Sequence, residues 1–322
     1  MKAPFESLVE PYRARLRLHC YRMLGSSCDA DDLVQETLAR AFRSRDPLAD
    51  DEPVRPWLYR IATNACLDEL ASRVRRARGP ELGPPSDPDL PPAPATPESE
   101  WIEPCPSAWL EGGDPASAYT IKESVALAFV AALQVLTPAQ RAVLLLRDVV
   151  GLTAEEAAAA LDTSVPAANS ALHRAREALA ERVGPRSGWS PDAGAPVDRA
   201  LLERYLRVWS TSDLDAIVAM LHDEVVLSMP PHPTWVKGRE AVTRFFGHRV
   251  RRALAERRFR TVPLEANGRP AVAFYRNGDD GVARFFALHV IEGEGSLVRA
   301  IDHFMAASAL RVFFAAGLSP VL

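Results

Sequence analysis

Four groups of side chains in this sequence have types and spacings that can do chemistry. In the first, Val165, Ala168, Leu172, Ala175 and Leu179 recur at helical spacing, which leaves Asn169, Ser170, His173, Arg174 and Arg176 on the outer side of one helix. There an amide can read adenine, a guanidinium can read guanine or a phosphate, and Ser170 can reach a phosphate oxygen. In the second, Asp29, Asp31, Asp32 and Glu36 crowd the start of a helix, where carboxylates suit the positive dipole end; capping alone also explains them. The third is Trp57, Arg60, Asn64 and Asp68, followed by Arg73, Arg75, Arg76 and Arg78. Rings that stack bases beside arginines that track phosphates suit an unstacked single strand, although Trp57 fits a core position equally well. The fourth lies far downstream: Trp235, His289, Asp302 and His303. His289 alternates in phase with Phe285, Ala287 and Ile291, so it faces an apolar interior, as a general base or simply as a hydrogen-bonded core histidine.

The elements that must position these groups read as follows. Helical periodicity runs from Phe5 to about Ala77, through Leu8, Tyr12, Leu16 and His19, then Leu33, Leu38, Ala41 and Phe42, then Leu58, Ile61, Ala65 and Leu70. It resumes from Ile121 to Leu179. There Thr137-Pro138 gives a cap with proline at the first helical position, and Gly151 closes that helix in the left-handed region. Thr153-Ala154-Glu155-Glu156 is a capping box for a short second helix, Asp162-Thr163 makes a turn, and Ser164 caps the third. A short helix, a tight turn and a helix with exposed polar N-terminal positions is the geometry that enters a major groove; an ordinary helical hairpin has the same periodicity.

Between these helical regions, Gly79 to Ala118 carries prolines throughout, no Lys or Arg, and the acids Glu81, Asp87, Asp89, Glu98, Glu100, Glu103, Glu111 and Asp114. That density of proline forbids regular helix or ladder, so this is an extended linker. Trp101, Ile102, Trp109 and Leu110 are too apolar for a pure spacer, so part of it docks on something. A second break, rich in Gly, Pro and Ser, runs from Gly184 to Pro196.

The pattern then becomes mixed: helices over Asp198 to Trp209 and Asp213 to His222, a strand over Val225 to Met229, a loop with His232 and Trp235, and a helix over Gly238 to Arg252. Strands follow near Phe259–Glu265, Ala271–Arg276, Val282–Ile291 and Leu297–Phe304, with a last helix from Ala306. Helices first and a curved antiparallel sheet after is an α+β cone. Arg249, Arg251, Arg252, Arg257, Arg258 and Arg260 form a basic run, a solvated face or a contact for the acidic linker.

Composition is permissive. The 322 residues are 48% hydrophobic and 25% charged, which excludes a chain disordered throughout, and a net charge of −4 excludes indiscriminate coating of nucleic acid. No run approaches the roughly 18 apolar residues that span a bilayer and no signal peptide is visible, so the expectation is a cytoplasmic protein without membrane contact. Cys20, Cys28, Cys66 and Cys105 fit no zinc template, so no metal or cofactor is expected.

The stretch LTPAQRAVLLLRDVVGLTAEEAAAALDTSVPAANSALHRAREAL resembles region 4 of the extracytoplasmic-function sigma factors of the sigma-70 family. Independently, YRMLGSSCDADDLVQETLARAF followed by RPWLYRIATNACLDEL resembles region 2. The resemblance implies two all-α domains: residues 1–78 as region 2, a Pro-rich acidic linker over 79–118, and residues 119–183 as a region 4 helix-turn-helix. It implies core RNA polymerase and promoter DNA as partners. It assigns Asp31, Asp32, Leu33, Gln35 and Glu36 to polymerase docking, and Trp57, Arg60, Asn64, Asp68, Arg73, Arg75 and Arg76 to the −10 element. Ser164, Asn169, Ser170, His173, Arg174 and Arg176 fall to the −35 element. The acids of the loop 45–53 do not suit phosphate contact. An acidic extended linker suits a basic channel of the polymerase.

After the linker 184–196, residues 197–322, with MPPHPTWVKGREAVTRFF among them, resemble the SnoaL-like domains of the nuclear-transport-factor-two superfamily, and the whole order resembles the SigG-like group of these sigma factors. Such domains enclose a pocket, which makes Trp235, His289, Asp302 and His303 its candidate lining and a small molecule its candidate occupant. Isomerases in that superfamily make a pocket enzyme fused to a DNA-binding module the rival reading, and a helix-turn-helix regulator acting alone a third. No acid–base pair is identifiable by spacing, so the expectation is a non-catalytic regulatory domain.

Overall fold

Apolar residues at helical spacing fold the first part of the chain into α1 (Phe5–Val9), α2 (Arg13–Leu24), α3 (Ser27–Arg43) and α4 (Val54–Leu70) in the computed structural model. The structure describes residues 5–44, 53–71, 83–97, 100–110, 126–183, 199–211, 213–251, 259–305 and 310–322. Gly25, at φ 70°, ends α2 in the left-handed region, and one residue later Ser26 caps α3 by accepting from the Asp29 amide at 3.0 Å. Leu16, Met23, Val34, Trp57 and Leu58 are buried among these helices.

Four further helices follow the linker: α5 (Leu127–Gln134), α6 (Pro138–Leu144), α7 (Ala154–Ala160) and α8 (Val165–Val183). The caps legible in the sequence are formed. Gln140 N–H donates to Thr137 Oγ1 at 3.3 Å while Thr137 N–H donates to Gln140 Oε1 at 3.1 Å. Thr153 and Glu156 reciprocate in the same way at 3.1 and 2.7 Å, and Ser164 accepts from the Ala167 amide at 3.3 Å. After α6 the helix widens into a π turn, Leu145–Val150, which Gly151 ends at φ 77°. Asp162 makes the turn between α7 and α8 at φ 48°, a conformation that Asp tolerates better than most residues.

The chain divides into two compact units. One joins Met1–Arg76 to Trp109–Trp189; the other joins Ala77–Ala108 to Ser190–Leu322. Within the first, the α2–α4 domain and the α5–α8 domain pack through a buried cation. Arg141 donates to the carbonyls of Leu133 (2.9 Å), Leu136 (3.2 Å) and Gln134 (3.3 Å), to Gln134 Oε1 (2.5 Å), and across the domains to the carbonyl of Met23. A guanidinium has the five fixed N–H groups that such a set of helix-end carbonyls needs. Gln134 adds a bond to the Arg22 carbonyl at 3.3 Å, and Arg55 donates to the carbonyl of Val150.

The second unit begins with α9 (Arg199–Thr211) and α10 (Leu214–Ala219). Its strands are β1 (Leu221–Met229), β2 (His232–Lys237), β3 (Phe259–Ala266), β4 (Arg269–Asn277), β5 (Ala283–Glu294) and β6 (Leu297–Phe304), with α11 (Arg239–Arg249) between β2 and β3 and α12 (Arg311–Ala315) at the end. The sheet order is β2-β1-β6-β5-β4-β3, antiparallel throughout except for the parallel pair β1–β6. Register breaks at Ser228/Met229, Phe274/Tyr275 and Glu292/Gly293 let the sheet curve. The inner face packs Leu227, Phe274 and Ile291 against Tyr205, Trp209, Val242 and Phe246 from the helices.

Two sequence expectations are corrected here. His232 and Trp235 sit on strand β2, not a loop. His222 belongs to β1, which starts four residues before the expected strand and shortens the preceding helix. Of the last helix, Arg311–Ala315 is described; its expected start at Ala306 lies outside the described residues.

Candidate functional site

On α3 the inward stripe is Val34, Leu38 and Ala41. That rotation leaves Asp32 and Gln35 exposed and Asp31, Leu33 and Glu36 partly exposed, so the five residues assigned to polymerase docking occupy the outer side of two helical turns. Their charges are not loose. Arg17 pairs with Asp31 at 3.1 Å, and Glu36 holds Arg40 at 2.9 Å and Arg43 at 3.4 Å. Hydrogen bonding from Arg40, helped by both arginines' charge, keeps the Glu36 carboxyl below its ordinary range. Arg40 reaches on to Asp68 of α4 at 3.3 Å, linking the second and third groups of the sequence through one guanidinium.

On α4, Asn64 and Asp68 are exposed and Arg60 is partly so. Trp57 is not available for stacking: it is 2% exposed and lies in the helical core. Of its two readings, core is the one the structure gives. Arg73, Arg75, Arg76 and the loop 45–52 lie outside the described residues.

The outer side of α8 is polar along its length. Ser164, Asn169, Ser170, His173, Arg174 and Arg176 are all exposed, while Ala168, Leu172 and Ala175 are buried beneath them. His173 faces Glu177 at 3.4 Å. Arg176 is held by Asp148 of the π turn, a contact the sequence did not signal.

In the second unit the linker is not a free tether. Its Ser86 amide donates to the Trp235 carbonyl at 2.7 Å and its Thr96 amide to the Pro231 carbonyl at 2.9 Å, both on or beside the edge strand β2. Farther along, Cys105 and Asn267 exchange two bonds of 2.9 Å, and Pro106 bridges Ala266 at the end of the other edge strand, β3. Trp101, Ile102 and Cys105 are buried. The basic run contributes as well: Arg249 donates to the carbonyl of Pro88 at 3.1 Å and to that of Leu90, and Asp89 faces His248 at 3.2 Å and Arg244 at 3.7 Å.

Inside the cone lies a cavity of about 120 Å³, lined by Trp209, Leu227, Phe245, Phe246, Phe259, Phe274, Phe286, His289, His303 and Arg249, among others. His289 and His303 are therefore where the sequence placed them. Asp302 and Trp235 are not. Successive strand residues face opposite ways, so Asp302 turns from the cavity and takes a bond from Ser228 Oγ at 2.5 Å, and Trp235 lies on the edge strand that receives Ser86. The histidines form a wired row: Tyr205 Oη meets His289 Nδ1 at 2.7 Å, and His289 Nε2 meets His303 Nδ1 at 2.5 Å. Burial, and for His289 the neighbouring His303, holds both imidazoles neutral, with His303 lowered to about 4. Tyr205 and Trp209 escaped the sequence reading, although their spacing of four on an amphipathic helix was the available signal. Among the described residues no group of His, Cys, Asp and Glu is placed to hold a metal ion, and no helix is long and apolar enough to cross a membrane.

Comparison with known proteins puts names to these parts. Residues 8–76 match the model of Sigma-70 region 2, residues 126–179 that of Sigma-70, region 4, and residues 202–308 that of the SnoaL-like domain. The fold and its exposed faces thus define a sigma-70-type initiation protein with an α+β appendage. The ECF RNA polymerase sigma factor SigG of Mycobacterium tuberculosis is 42% identical over 294 residues, covering 90% of this chain and 78% of that protein. SigJ of the same organism is 29% identical over 74% of this chain and 71% of its own. The crystal structure of SigJ shares the fold, with a TM-score of 0.60 over 96% of this chain and 97% of that one at 22% identity. The chain belongs to the extracytoplasmic-function sigma factors of the sigma-70 family: it binds core RNA polymerase and directs promoter-specific transcription initiation.

Proposed function

We propose that this sigma factor works through three separate outer faces and is controlled by its C-terminal domain. The outer turns of α3, with Asp31, Asp32, Leu33, Gln35 and Glu36, dock on core polymerase. Asn64, with Arg60 and Asp68 and the arginines 73, 75 and 76, meets the −10 element. Asn169, Ser170, His173, Arg174 and Arg176, with Ser164 at the cap, meet the −35 element. The supporting observation is that apolar neighbours one or two positions away are buried in each helix, so the polar side chains of these sets that lie among the described residues face outward by rotation alone. Because its polymerase works there, the protein belongs in the cytoplasm.

Control is read from the linker. The segment that joins the two DNA-binding domains is hydrogen-bonded along much of its described length to the C-terminal domain, so release or retention of that segment sets how far the two domains can separate. Among the described lining residues the titratable groups are two neutral histidines and Arg249, with no carboxylate, which supports binding rather than catalysis.

Run-off transcription with purified core polymerase tests the reading. Asp32→Lys is expected to abolish polymerase capture. Asn169→Ala is expected to keep capture and lose discrimination at one base pair, by about 1–3 kcal/mol. The double variant Arg244→Ala/Arg249→Ala is expected to alter transcript yield with both recognition faces intact. Unchanged yield in the last would remove the control, and unchanged capture in the first would remove the docking face.

A further inference from the structure

The row Tyr205–His289–His303 has a direction. The Tyr205 hydroxyl is buried and makes no other side-chain hydrogen bond among the described residues; accepting from His289 would leave its own proton without a partner, so it gives that proton to His289 Nδ1. Neutral His289 then carries its proton on Nε2 and donates it to His303 Nδ1. Neutral His303 is left with a protonated Nε2, which meets no partner among the described residues while the ring lines the cavity. An N–H that faces an apolar cavity gains from an incoming acceptor, and the Trp209 indole N–H of the same lining is buried without a partner. Apart from Arg249, the rest of the described lining is apolar and largely aromatic, with Trp209, Phe245, Phe259 and Phe274 among the rings that meet whatever enters. An apolar cavity of about 150 Å³ holds benzene, so this one, at about 120 Å³, limits an occupant to a single ring and must widen slightly to seat it.

The cavity wall is also part of the linker's anchor. Phe245 lines the cavity and carries the Arg249 guanidinium on its ring, 4.4 Å from the centroid, while that guanidinium holds the carbonyls of Pro88 and Leu90.

We propose that the cone binds a neutral, one-ring compound bearing a single carbonyl-type acceptor, read by His303, and that its occupancy tightens the linker through Phe245 and Arg249. A ring seated against Phe245 fixes the platform on which the guanidinium rests, so the guanidinium's bonds to the linker persist longer. The transmission to the linker rests on the control by the C-terminal domain proposed above; the binding does not.

The probes are acetophenone, which carries the acceptor, and ethylbenzene, which has nearly its shape without it. Each is titrated into the full chain labelled with ¹⁵N-histidine, and the linker amides are followed by hydrogen exchange. Acetophenone is expected to saturate, shift the His303 Nε2 resonance and bind about tenfold tighter than ethylbenzene, as one hydrogen bond to a buried donor implies. His303→Phe should erase the preference, and the wild-type comparison stands even where that variant folds poorly. No saturable binding of either probe overturns the site, and equal binding with unmoved histidine signals overturns the acceptor reading. At saturation the Ser86 and Thr96 amides should exchange several-fold more slowly in the wild type and not in Arg249→Ala. Unchanged or faster exchange in the wild type, or equal slowing in the variant, overturns the coupling while leaving the site. Transcription by the ligand-free protein judges the sigma-factor reading separately.

Discussion

Arg176 grips Asp148 with two parallel hydrogen bonds, Nε to Oδ2 at 2.9 Å and Nη2 to Oδ1 at 2.6 Å, so an arginine on the outer side of α8 is engaged by an acid of the preceding π turn. Any phosphate that Arg176 serves must compete with this carboxylate. Asp148→Asn is therefore expected to raise affinity for duplex DNA about three- to tenfold at low salt and to steepen the salt dependence by about one counterion. It should cost less than about 1 kcal/mol of stability, since the pair is exposed. Fluorescence anisotropy across a salt series checks this; an unchanged slope would make Arg176 a strut of the domain and not a DNA contact.

Trp57 gives a second test, because the family role and the structure pull apart there. Trp57→Ala empties a core position and should lose about 3–5 kcal/mol in chemical denaturation, whereas Trp57→Phe should keep most of the fold and most of the transcription. A Phe variant of near-normal stability that cannot open a promoter would return Trp57 to the DNA.

Arg141 holds two domains by giving its N–H groups to carbonyl oxygens of both. Arg141→Ala leaves several buried carbonyls without a donor and should destabilise the helical unit by about 3 kcal/mol or more. Lysine at this position should rescue little, because three N–H groups on a flexible stem cannot span that fork. Urea unfolding followed by helical signal is the measurement, and recovery by lysine would show that charge alone matters.

Acid should weaken the same unit through His19. Its Nε2 lies 2.9 Å from Thr63 Oγ1, and burial first, with the Arg22 charge second, lowers its pKa to about 3. The fold therefore holds the neutral ring, and the unfolded chain takes up the proton first as pH falls. Stability from this group is complete above about pH 6.5 and drains by up to about 1.4 kcal/mol per pH unit between there and pH 3. In urea titrations the slope between pH 6.5 and 5 should shrink by that amount in His19→Asn; an identical slope would assign the acid sensitivity elsewhere.

The helical half was legible because its signals are local. Thr137 with Gln140, Thr153 with Glu156, and Ser164 before α8 are caps written within four residues of chain, and the structure forms each of them. The alternation with Ala287 and Ile291 that turned His289 inward was equally local, but the register break at Phe274/Tyr275 takes Phe285 out of that phase and puts Phe286 in the cavity instead. What escaped depends on distant chain. Strand β2 contains Pro233 and follows Pro230-Pro231, which hides its alternation, and proline is tolerated there because β2 is an edge strand. Adjacent Asp302 and His303 both read as cavity residues until the strand's alternation chose between them. Trp101 and Ile102 announced that the linker docks, yet its partner Trp235 lies 149 residues beyond Ser86, and nothing in a single sequence names a partner at that distance.

The linker touches β2 at one border of the sheet and the end of β3 at the other. A sheet with bare borders presents unsatisfied amides and carbonyls that recruit strands from other molecules. The segment between the DNA-binding domains thus also acts as a guard against aggregation: whenever it is drawn away, the cone loses part of its border cover, and protein left long in that state should begin to associate with itself.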